Sequence, residues 1–306
     1  MTRKIKVAAA QLAPVFFDRD ATTQKACEAI VEAGRKGAQL IAFPETFLPG
    51  YPYFALYLAP TRIGSYQQRL YEQAVELDSE TTAALAAAAR EAGCVVVMGI
   101  NEREGGTLYN SQLFIGADGA ILGCRRKLVP TSHERLVWGR GDGSDIQLYD
   151  TAVGKLGALI CYEHVNPLFR YAVQAQGEQV HVANWPGGMA SINDIMDAAC
   201  RHYAFEGQCF VLSVTSVLTE AAIAGLDEEL RVHLSVGGGY SMVISPRGKL
   251  LVGPLTEGEG ILYADLDFAD IDRIKAIVDG AGHYARPDVM RLQLDARKRR
   301  PLEIEE

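Results

Sequence analysis

The stretch "LGALICYEHVNPLFRYA" (156–172) decides how a reactive side chain is joined to the fold. An apolar run, Leu156–Ile160, has the length of a buried strand and ends at Cys161. A tyrosine, Glu163 and His164 follow at once, and a cysteine that only fills a core needs neither an acid nor an imidazole beside it. The pattern therefore predicts a thiol presented at the end of a strand, just before a helix.

The same alternation of apolar runs and helical stretches continues along the chain. Asn166 and Pro167 are typical of an N-cap and a first helical residue, and they predict a helix to about Ala175. Asp118-Gly119 lies between two apolar runs and predicts the turn of a hairpin. Further helices are predicted at 22–36, 80–92 and 192–206, and further strands at 5–12, 39–43, 94–100, 156–161, 180–183, 209–214, 239–244, 249–252 and 261–266.

The sequence contains no visible boundary between domains. Strands and helices follow one another without a Pro/Gly/Ser-rich linker or a repeat, which predicts a single layered α/β domain at residues 1–290. Residues 291–306 are predicted to form a short charged tail. Its basic run, Arg297–Arg300, is followed by Glu303, Glu305 and Glu306 and is interpreted as solvated.

The composition excludes several classes of partner. Of the 306 residues, 48% are hydrophobic and 22% are charged, and the net charge of −8 argues against nucleic acid or an anionic membrane. No apolar run approaches the roughly 20 residues of a membrane span. The six cysteines include no C-x-x-C pair, which favours reduced thiols and a cytoplasmic protein. The sequence predicts neither a metal nor an organic cofactor.

Three reactive side chains stand at the ends of apolar runs. Glu45 ends "QLIAFPE", Lys127 ends "AILGCRRK" and Cys161 ends "LGALIC". Rigid strands that end in polar groups are a common scaffold for catalytic sites. A carboxylate can take the proton of a thiol, and an ammonium can stabilise the negative charge that develops on a substrate.

Each of these residues also has an ordinary structural interpretation. A cysteine at the end of a strand is more often a small buried hydrophobe than a nucleophile. Glu45 can cap a turn, and Lys127 can belong with Arg125 and Arg126 to a solvated basic set. His164 can be a structural histidine. The strand ends alone therefore leave both interpretations open.

Longer motifs resolve the choice in favour of catalysis. The sequence resembles the nitrilase branch of the carbon–nitrogen hydrolase superfamily in five ordered blocks, from "VAAAQLAPVFFD" to "HYARPDV". The blocks are "FPETFLPGYP" (43–52), "RKLVPTSHERLVWGRGDG" (126–143), "CYEHVNPLFRYA" (161–172), "GGGYSMVISPRGKLLVGP" (237–254) and "GHYARPDV" (282–289).

The resemblance implies a four-layer α-β-β-α sandwich and a catalytic Glu–Lys–Cys set. Glu45 in "FPE" is then the general base, Lys127 in "RKL" the electrophilic stabiliser and Cys161 in "CYEH" the nucleophile. Glu134, seven residues after Lys127, matches the additional glutamate that positions the lysine or the substrate. The implied reaction is hydrolysis of a nitrile to a carboxylic acid and ammonia through a thioimidate and an acyl thioester.

Five further residues are candidates for substrate binding or for support of the site. They are Tyr51, Tyr162, Glu163, His164 and Trp185. Tyr162 departs from the family pattern, because most relatives have tryptophan directly after the nucleophile. Its hydroxyl is expected to add a hydrogen bond near the thiol or to reshape the wall of the pocket. His164 is expected to orient the site and not to act as the base.

Other functions remain open at this point. An amidase of the same superfamily would use the same acyl-enzyme chemistry on an amide. A catalytically silent member would act as a binding protein, although the intact Glu–Lys–Cys set argues against it. A redox-sensing thiol would need a resolving cysteine, and none is near Cys161 in sequence.

The expected partners are a small nitrile and other copies of the same chain. The resemblance implies a homodimer or a larger homo-oligomer formed by packing of helical layers. The helix predicted at 166–175 is the expected interface element, through Pro167, Leu168, Phe169 and Tyr171. The same apolar side chains would also suit an intramolecular core.

Overall fold

Two six-stranded β-sheets occupy the middle of the computed structural model, which describes residues 3–299 and 302. The first sheet has the order β12-β1-β2-β3-β4-β5, with strands β1 (Lys4–Gln11), β2 (Leu40–Ala42), β3 (Val95–Glu104), β4 (Thr107–Ile115), β5 (Ile121–Arg126) and β12 (Gly260–Asp267). The second has the order β11-β10-β9-β8-β7-β6, with strands β6 (Tyr149–Thr151), β7 (Gly154–Ile160), β8 (Val180–Trp185), β9 (Phe210–Thr215), β10 (Ser241–Ile244) and β11 (Leu250–Leu255).

The helices lie between these strands in sequence. In the described part of the chain they are α1 (Arg19–Arg35), α2 (Tyr53–Tyr57), α3 (Gly64–Gln73), α4 (Glu80–Ala92), α5 (Pro167–Gln174), α6 (Asn193–Gly207), α7 (Glu220–Ala224), α8 (Glu228–Arg231) and α9 (Ala269–Lys275). None of these described helices has both the length and the apolar character that crossing a membrane requires.

Each sheet has a parallel centre and antiparallel edges. Strands β1, β2 and β3 are parallel in the first sheet, and β7, β8 and β9 are parallel in the second. The outer strands pair antiparallel with these centres. The carboxyl ends of parallel strands meet at one edge of a sheet, and this edge is where open α/β sheets place their sites.

Apolar side chains fill the spaces between four layers. The core between the sheets includes Val97 of the first sheet and Leu212 of the second. Helices α1 and α4 pack on the outer face of the first sheet, through residues such as Ile30 and Leu85. Helices α5 and α6 cover the second sheet, where Val173 is buried. The predicted four-layer α-β-β-α sandwich is therefore confirmed.

Local capping signals set the ends of two predicted helices. The side chain of Ser79 caps α4, which ends at Gly93 with a φ of 60°, so the predicted bounds of 80–92 are confirmed. The Asn166 side chain accepts hydrogen bonds from the N–H groups of Leu168 and Phe169 at the start of α5. The hairpin around Asp118-Gly119 is also present, as β4 and β5.

Several elements were not predicted. They include the helices α2 and α3, of 5 and 10 residues, and the strand β6, which has only three residues. Strand β3 continues to Glu104, beyond the predicted end at Ile100, because the polar residues that follow pair with β4 as far as Thr107. Tertiary pairing therefore extends a strand that its apolar pattern ends early.

The end of the described chain packs on a loop of the domain. Residues 291–299 form neither helix nor strand. The backbone of Asp295 lies so close to Gly143 that a side chain at that glycine would collide with it. The backbone N–H of Arg299 donates to the carboxylate of Asp142 at 2.7 Å. Arg300 and the glutamates 303, 305 and 306 of the predicted tail lie outside the described residues.

Candidate active site

Four reactive side chains from both sheets meet at one edge of the sandwich. Glu45 follows β2, Lys127 directly follows β5, and Cys161 directly follows β7. Glu134 lies in a short 3₁₀ helix, Ser132–Leu136. All four are buried, and the ligand atoms of Glu45, Glu134 and Cys161 lie within 4.8 Å of one another. Glu45, Lys127 and Glu134 are called the charged cluster below.

Lys127 lies between the two carboxylates. Its Nζ donates to Glu45 Oε1 at 2.9 Å and to Glu134 Oε2 at 2.7 Å. Burial alone would lower the pKa of this lysine, but the carboxylates of Glu45 and Glu134 contribute to an opposing effect that outweighs burial and raises it. The ammonium is therefore charged at neutral pH, and it is only 1% exposed. The alternative that Lys127 belongs to a solvated basic set is wrong.

One oxygen of Glu45 is unpaired. Oε1 accepts hydrogen bonds from Lys127 and, at 2.6 Å, from Asn110 Nδ2. Oε2 is buried and has no hydrogen-bond partner among the described residues. Burial raises the pKa of Glu45 to about 7 against the opposing charge of Lys127. A carboxylate that titrates near neutrality and keeps one oxygen free is suited to exchange a proton with a neighbouring group.

Cys161 occupies a constrained turn between β7 and a 3₁₀ helix, Cys161–Val165. Its φ is 52°, in the left-handed region that costs a residue with a side chain about 1–2 kcal/mol. Burial, followed by the charge of Glu45, raises the pKa of the thiol, while Lys127 and the backbone N–H of Tyr162 oppose this. The thiol is therefore neutral at rest and needs a base when it reacts.

Glu134 is held by three donors. Its Oε2 accepts from Lys127 and from the backbone N–H of Thr131, each at 2.7 Å. Its Oε1 accepts from the hydroxyl of Tyr51 at 2.9 Å. The same hydroxyl lies 2.9 Å from His133 Nε2, which donates to it when it carries the proton. Tyr51 thus lies in the site and fixes Glu134.

Glu163 connects the lysine segment to the nucleophile turn. Its carboxylate pairs with the buried guanidinium of Arg125 at 2.8 Å. It also accepts from the backbone N–H of Leu128 at 2.9 Å and from that of Ile160 at 2.8 Å. Burial opposes ionisation, but Arg125 and these N–H donors together lower the pKa of Glu163. Glu163 therefore supports the positions of both Lys127 and Cys161.

The remaining candidates lie in different surroundings. His164 Nδ1 donates to the carbonyl oxygen of Cys161 at 2.8 Å, and its ring stacks on Trp185. The Trp185 carbonyl accepts from the N–H of Glu45 at 3.3 Å, while its indole packs in the core under α6. Tyr162 is 53% exposed, so its side chain points outward while its backbone borders the thiol. The structure thus brings the backbone or side chain of every candidate next to the charged cluster or the nucleophile.

A metal ion has no free place in this cluster. Glu45, Glu134 and Cys161 form the one set of potential ligands found within the described residues. The ammonium of Lys127 bonds to both carboxylates of that set, so it already supplies the positive charge that a cation would bring.

Sequence reasoning missed Asn110, Arg125 and His133. A signal for Arg125 was present: alternate residues of a strand face the same side, so Arg125 and Lys127 of "RRK" turn inward together. The exposed fractions of these two residues are 2% and 1%. Asn110 and His133 carried no comparable signal, because their partners are 65 and 82 residues away in sequence.

Comparisons with known proteins agree with this geometry. Residues 6–276 match the carbon-nitrogen hydrolase family. A nitrilase of Paraburkholderia phymatum is 42% identical over 98% of this chain and 89% of its own length. An aliphatic nitrilase of Rhodococcus rhodochrous is 44% identical over 98% of this chain and 85% of its own length. In fold, a carbon-nitrogen hydrolase of Helicobacter pylori superposes with a TM-score of 0.75 at 21% identity, covering 94% of this chain and 97% of the other.

The chain therefore belongs to the carbon-nitrogen hydrolase family and, within it, to the nitrilases. The resemblance noted in the sequence is confirmed.

Proposed function

We propose that this protein is an enzyme that hydrolyses a nitrile to the carboxylic acid and ammonia, with Cys161 as the nucleophile. The observation that carries the proposal is the buried carboxylate of Glu45, which keeps one oxygen free and lies within 4.8 Å of the thiol, with Lys127 held between two carboxylates. The relatives called nitrilases, at about 40% identity over nearly the whole chain, support the choice of a nitrile.

The first half of the reaction forms a thioimidate. Glu45 takes the thiol proton as the sulfur of Cys161 attacks the nitrile carbon, so a C–S bond forms and one C–N π bond breaks. The proton passes to the nitrogen, which leaves a neutral C=N–H group. Lys127 and the backbone N–H of Tyr162 stabilise the negative charge that develops on nitrogen.

The second half releases ammonia and then the acid. Glu45 deprotonates a water molecule that adds to the thioimidate carbon, and the resulting tetrahedral intermediate carries oxygen, sulfur and nitrogen. Once the nitrogen is protonated it leaves as ammonia, and an acyl thioester remains. A second water molecule, again activated by Glu45, releases the carboxylic acid and returns the thiol.

Two sequence blocks favour nitriles over amides. "KLVPTSHERLVWGRGDG" (127–143) has the arrangement found in nitrilases after the catalytic lysine, where related amidases differ, and "GHYARPDV" (282–289) is a nitrilase-branch ending. Ammonia release across a panel of nitriles and their matching amides tests the proposal. We expect acid and ammonia from nitriles, with a minor amide by-product. Rapid turnover of the amides with the nitriles untouched would move the protein to the amidases.

We further propose that residues 1–290 form a single domain and that the protein is cytoplasmic. Two or more copies of it assemble through α5 and α6. Leu168 and Tyr171 of α5 are 60% and 39% exposed, and Phe205 of α6 is 59% exposed. Phe169 packs against the core, whereas the other three residues of the predicted set, Pro167, Leu168 and Tyr171, are exposed. Light scattering is expected to give a dimer or a larger particle, and only monomer at micromolar concentration would contradict the assembly.

A further inference from the structure

Four buried polar side chains form a line from α6 to the nucleophile. The hydroxyl of Tyr203 lies 2.7 Å from Glu178 Oε2, and Glu178 Oε1 lies 2.7 Å from His181 Nδ1. His181 Nε2 lies 2.9 Å from His164 Nε2. His164 Nδ1 in turn lies 2.8 Å from the carbonyl oxygen of Cys161. These four side chains, all fully buried, are called the histidine chain.

The carbonyl of Cys161 fixes the direction of every hydrogen bond in the chain. A carbonyl only accepts, so His164 carries its proton on Nδ1 and, when neutral, accepts at Nε2. His181 must then donate from Nε2, and when neutral it accepts at Nδ1. The donor to Nδ1 is Oε1 of a protonated Glu178, whose other oxygen accepts from Tyr203. Every polar atom is satisfied without any charge.

The surroundings favour this neutral form. Burial lowers the pKa of His164 and His181 well below the usual value, and the charge of Arg125 lowers that of His181 further. Burial also raises the pKa of Glu178 to about 8. An isolated charge at these positions would be costly, because no water reaches them.

Packing in the second sheet and against α6 leaves room for the histidine chain and fixes its side chains. Gly157 of β7 pairs with His181 of β8, and a Cβ at Gly157 would overlap the carboxyl group of Glu178. The rings of Trp185 and Tyr203 pack against His164 and fix its plane. Each member is therefore held in place by packing as well as by hydrogen bonds.

We propose that the histidine chain positions the peptide between Cys161 and Tyr162 for the reaction. The C=O and N–H of a trans peptide point in opposite directions, so a donor on the carbonyl fixes where the N–H points. The backbone N–H of Tyr162 also favours the ionised sulfur, since it lowers the pKa of the Cys161 thiol. The chain thus holds the left-handed turn of Cys161 and aims this N–H at the charge that forms beside the sulfur.

The inference rests on the proposed cysteine chemistry, and its kinetic test uses a matched pair of variants. Glu178→Gln keeps a donor to His181 and an acceptor for Tyr203, whereas Glu178→Leu keeps neither. We expect Glu178→Leu to lower kcat by about 10- to 100-fold with little change in KM, because small misplacements of catalytic groups have effects of that size. Glu178→Gln is expected to stay within about threefold of the wild-type kcat.

Cys200→Ala is the control for altered packing in the same layer, since Cys200 is a buried residue of α6 that does not belong to the histidine chain. Its kcat is expected to match that of the wild type. A folded Glu178→Leu enzyme with wild-type kcat, or a Glu178→Gln enzyme as impaired as Glu178→Leu, would overturn the inference.

A spectroscopic test needs no substrate and no variant that must fold. With ¹⁵N-labelled histidine, the spectrum contains few signals, because the whole protein has six histidines. We expect His164 protonated only at Nδ1 and His181 only at Nε2, unchanged from pH 6 to pH 7, where Glu178 still keeps its proton. An imidazolium at either residue would refute the neutral chain. Failure of the wild type to hydrolyse any nitrile would instead refute the proposed function and leave this result standing.

Discussion

Two buried polar groups meet at Cys161 and differ in charge. The charged cluster contains one ammonium between two carboxylates and reaches the sulfur from the side of the first sheet. The histidine chain reaches the backbone of the same residue from the side of α6 and satisfies all its hydrogen bonds without charge. One group therefore adjoins the reacting atom, and the other adjoins the peptide that carries it.

This difference follows from what each position requires. Buried charges persist only when they are paired, and removal of one partner is costly. In the charged cluster every charge is paired in this way. Charges are needed there because the reaction creates charge and moves protons, and fixed charges close by stabilise it. The histidine chain only has to hold the backbone of Cys161 in one orientation. Neutral hydrogen bonds do this without a buried charge that would be costly if its partner were lost. Variants of each group can therefore test whether the charged cluster performs the chemistry and the histidine chain positions the backbone.

The largest effect is expected at the nucleophile. Cys161→Ala should abolish turnover and leave the fold intact, because the thiol forms the bond to the substrate and contributes little packing. Turnover and circular dichroism together check this. Cys94→Ala is the matched control, since Cys94 is also buried and burial also raises its pKa, to about 12, but it lies just before the first residue of β3, in the core between the first sheet and its helices. Near-normal turnover by a folded Cys161→Ala enzyme would overturn the assignment.

Glu45→Gln separates charge from hydrogen bonding in the charged cluster. A glutamine oxygen still accepts from Lys127 and Asn110, so the protein should fold. Its amide nitrogen replaces the free oxygen and cannot take a proton. We expect kcat to fall by about 10³-fold, in the range of a lost general base. Activity within tenfold of the wild type would mean that another group is the base.

The site was predictable from the sequence where its signals are local. The ends of apolar runs predicted the positions of Glu45, Lys127 and Cys161, and capping residues predicted the bounds of α4 and α5. Both kinds of signal depend on only a few neighbouring residues. The histidine chain was not predictable in this way. Its members come from a 3₁₀ helix, the loop before β8, β8 itself and α6, and they meet only through the register that sets Gly157 beside His181. Nothing in the sequence around Gly157 indicates that its missing side chain makes room for the carboxyl group of Glu178, 21 residues later.

The stability of the protein should report on the histidine chain through pH. Glu178 has a folded pKa of about 8, so the folded protein keeps a proton that the unfolded chain loses above about pH 4.5. The free energy of unfolding of the wild type should therefore fall relative to Glu178→Gln as pH rises from 5 to 8. The difference should reach on the order of 4 kcal/mol at pH 8. Urea unfolding of both proteins measures it, and parallel pH curves would mean that Glu178 is ionised when folded.

The smallest effect is expected on the products of nitrile hydrolysis. The tetrahedral intermediate can lose ammonia, which gives acid, or the thiol, which gives amide. Ammonia leaves only from a protonated nitrogen, and the negative charges of Glu45 and Glu134 favour that cation. Glu134→Gln removes one of these charges while its oxygen can still accept from Lys127 and Thr131.

The amide fraction should therefore rise several-fold in Glu134→Gln, which corresponds to about 1 kcal/mol between the two exit barriers. Chromatography of acid and amide from one nitrile measures the ratio in whatever activity survives. Tyr51→Phe is the informative companion, because it removes a hydrogen bond to Glu134 and leaves the charge in place. If charge controls the outcome, the amide fraction rises in Glu134→Gln and not in Tyr51→Phe. An equal rise in both variants would assign the effect to the position of Glu134 and not to its charge.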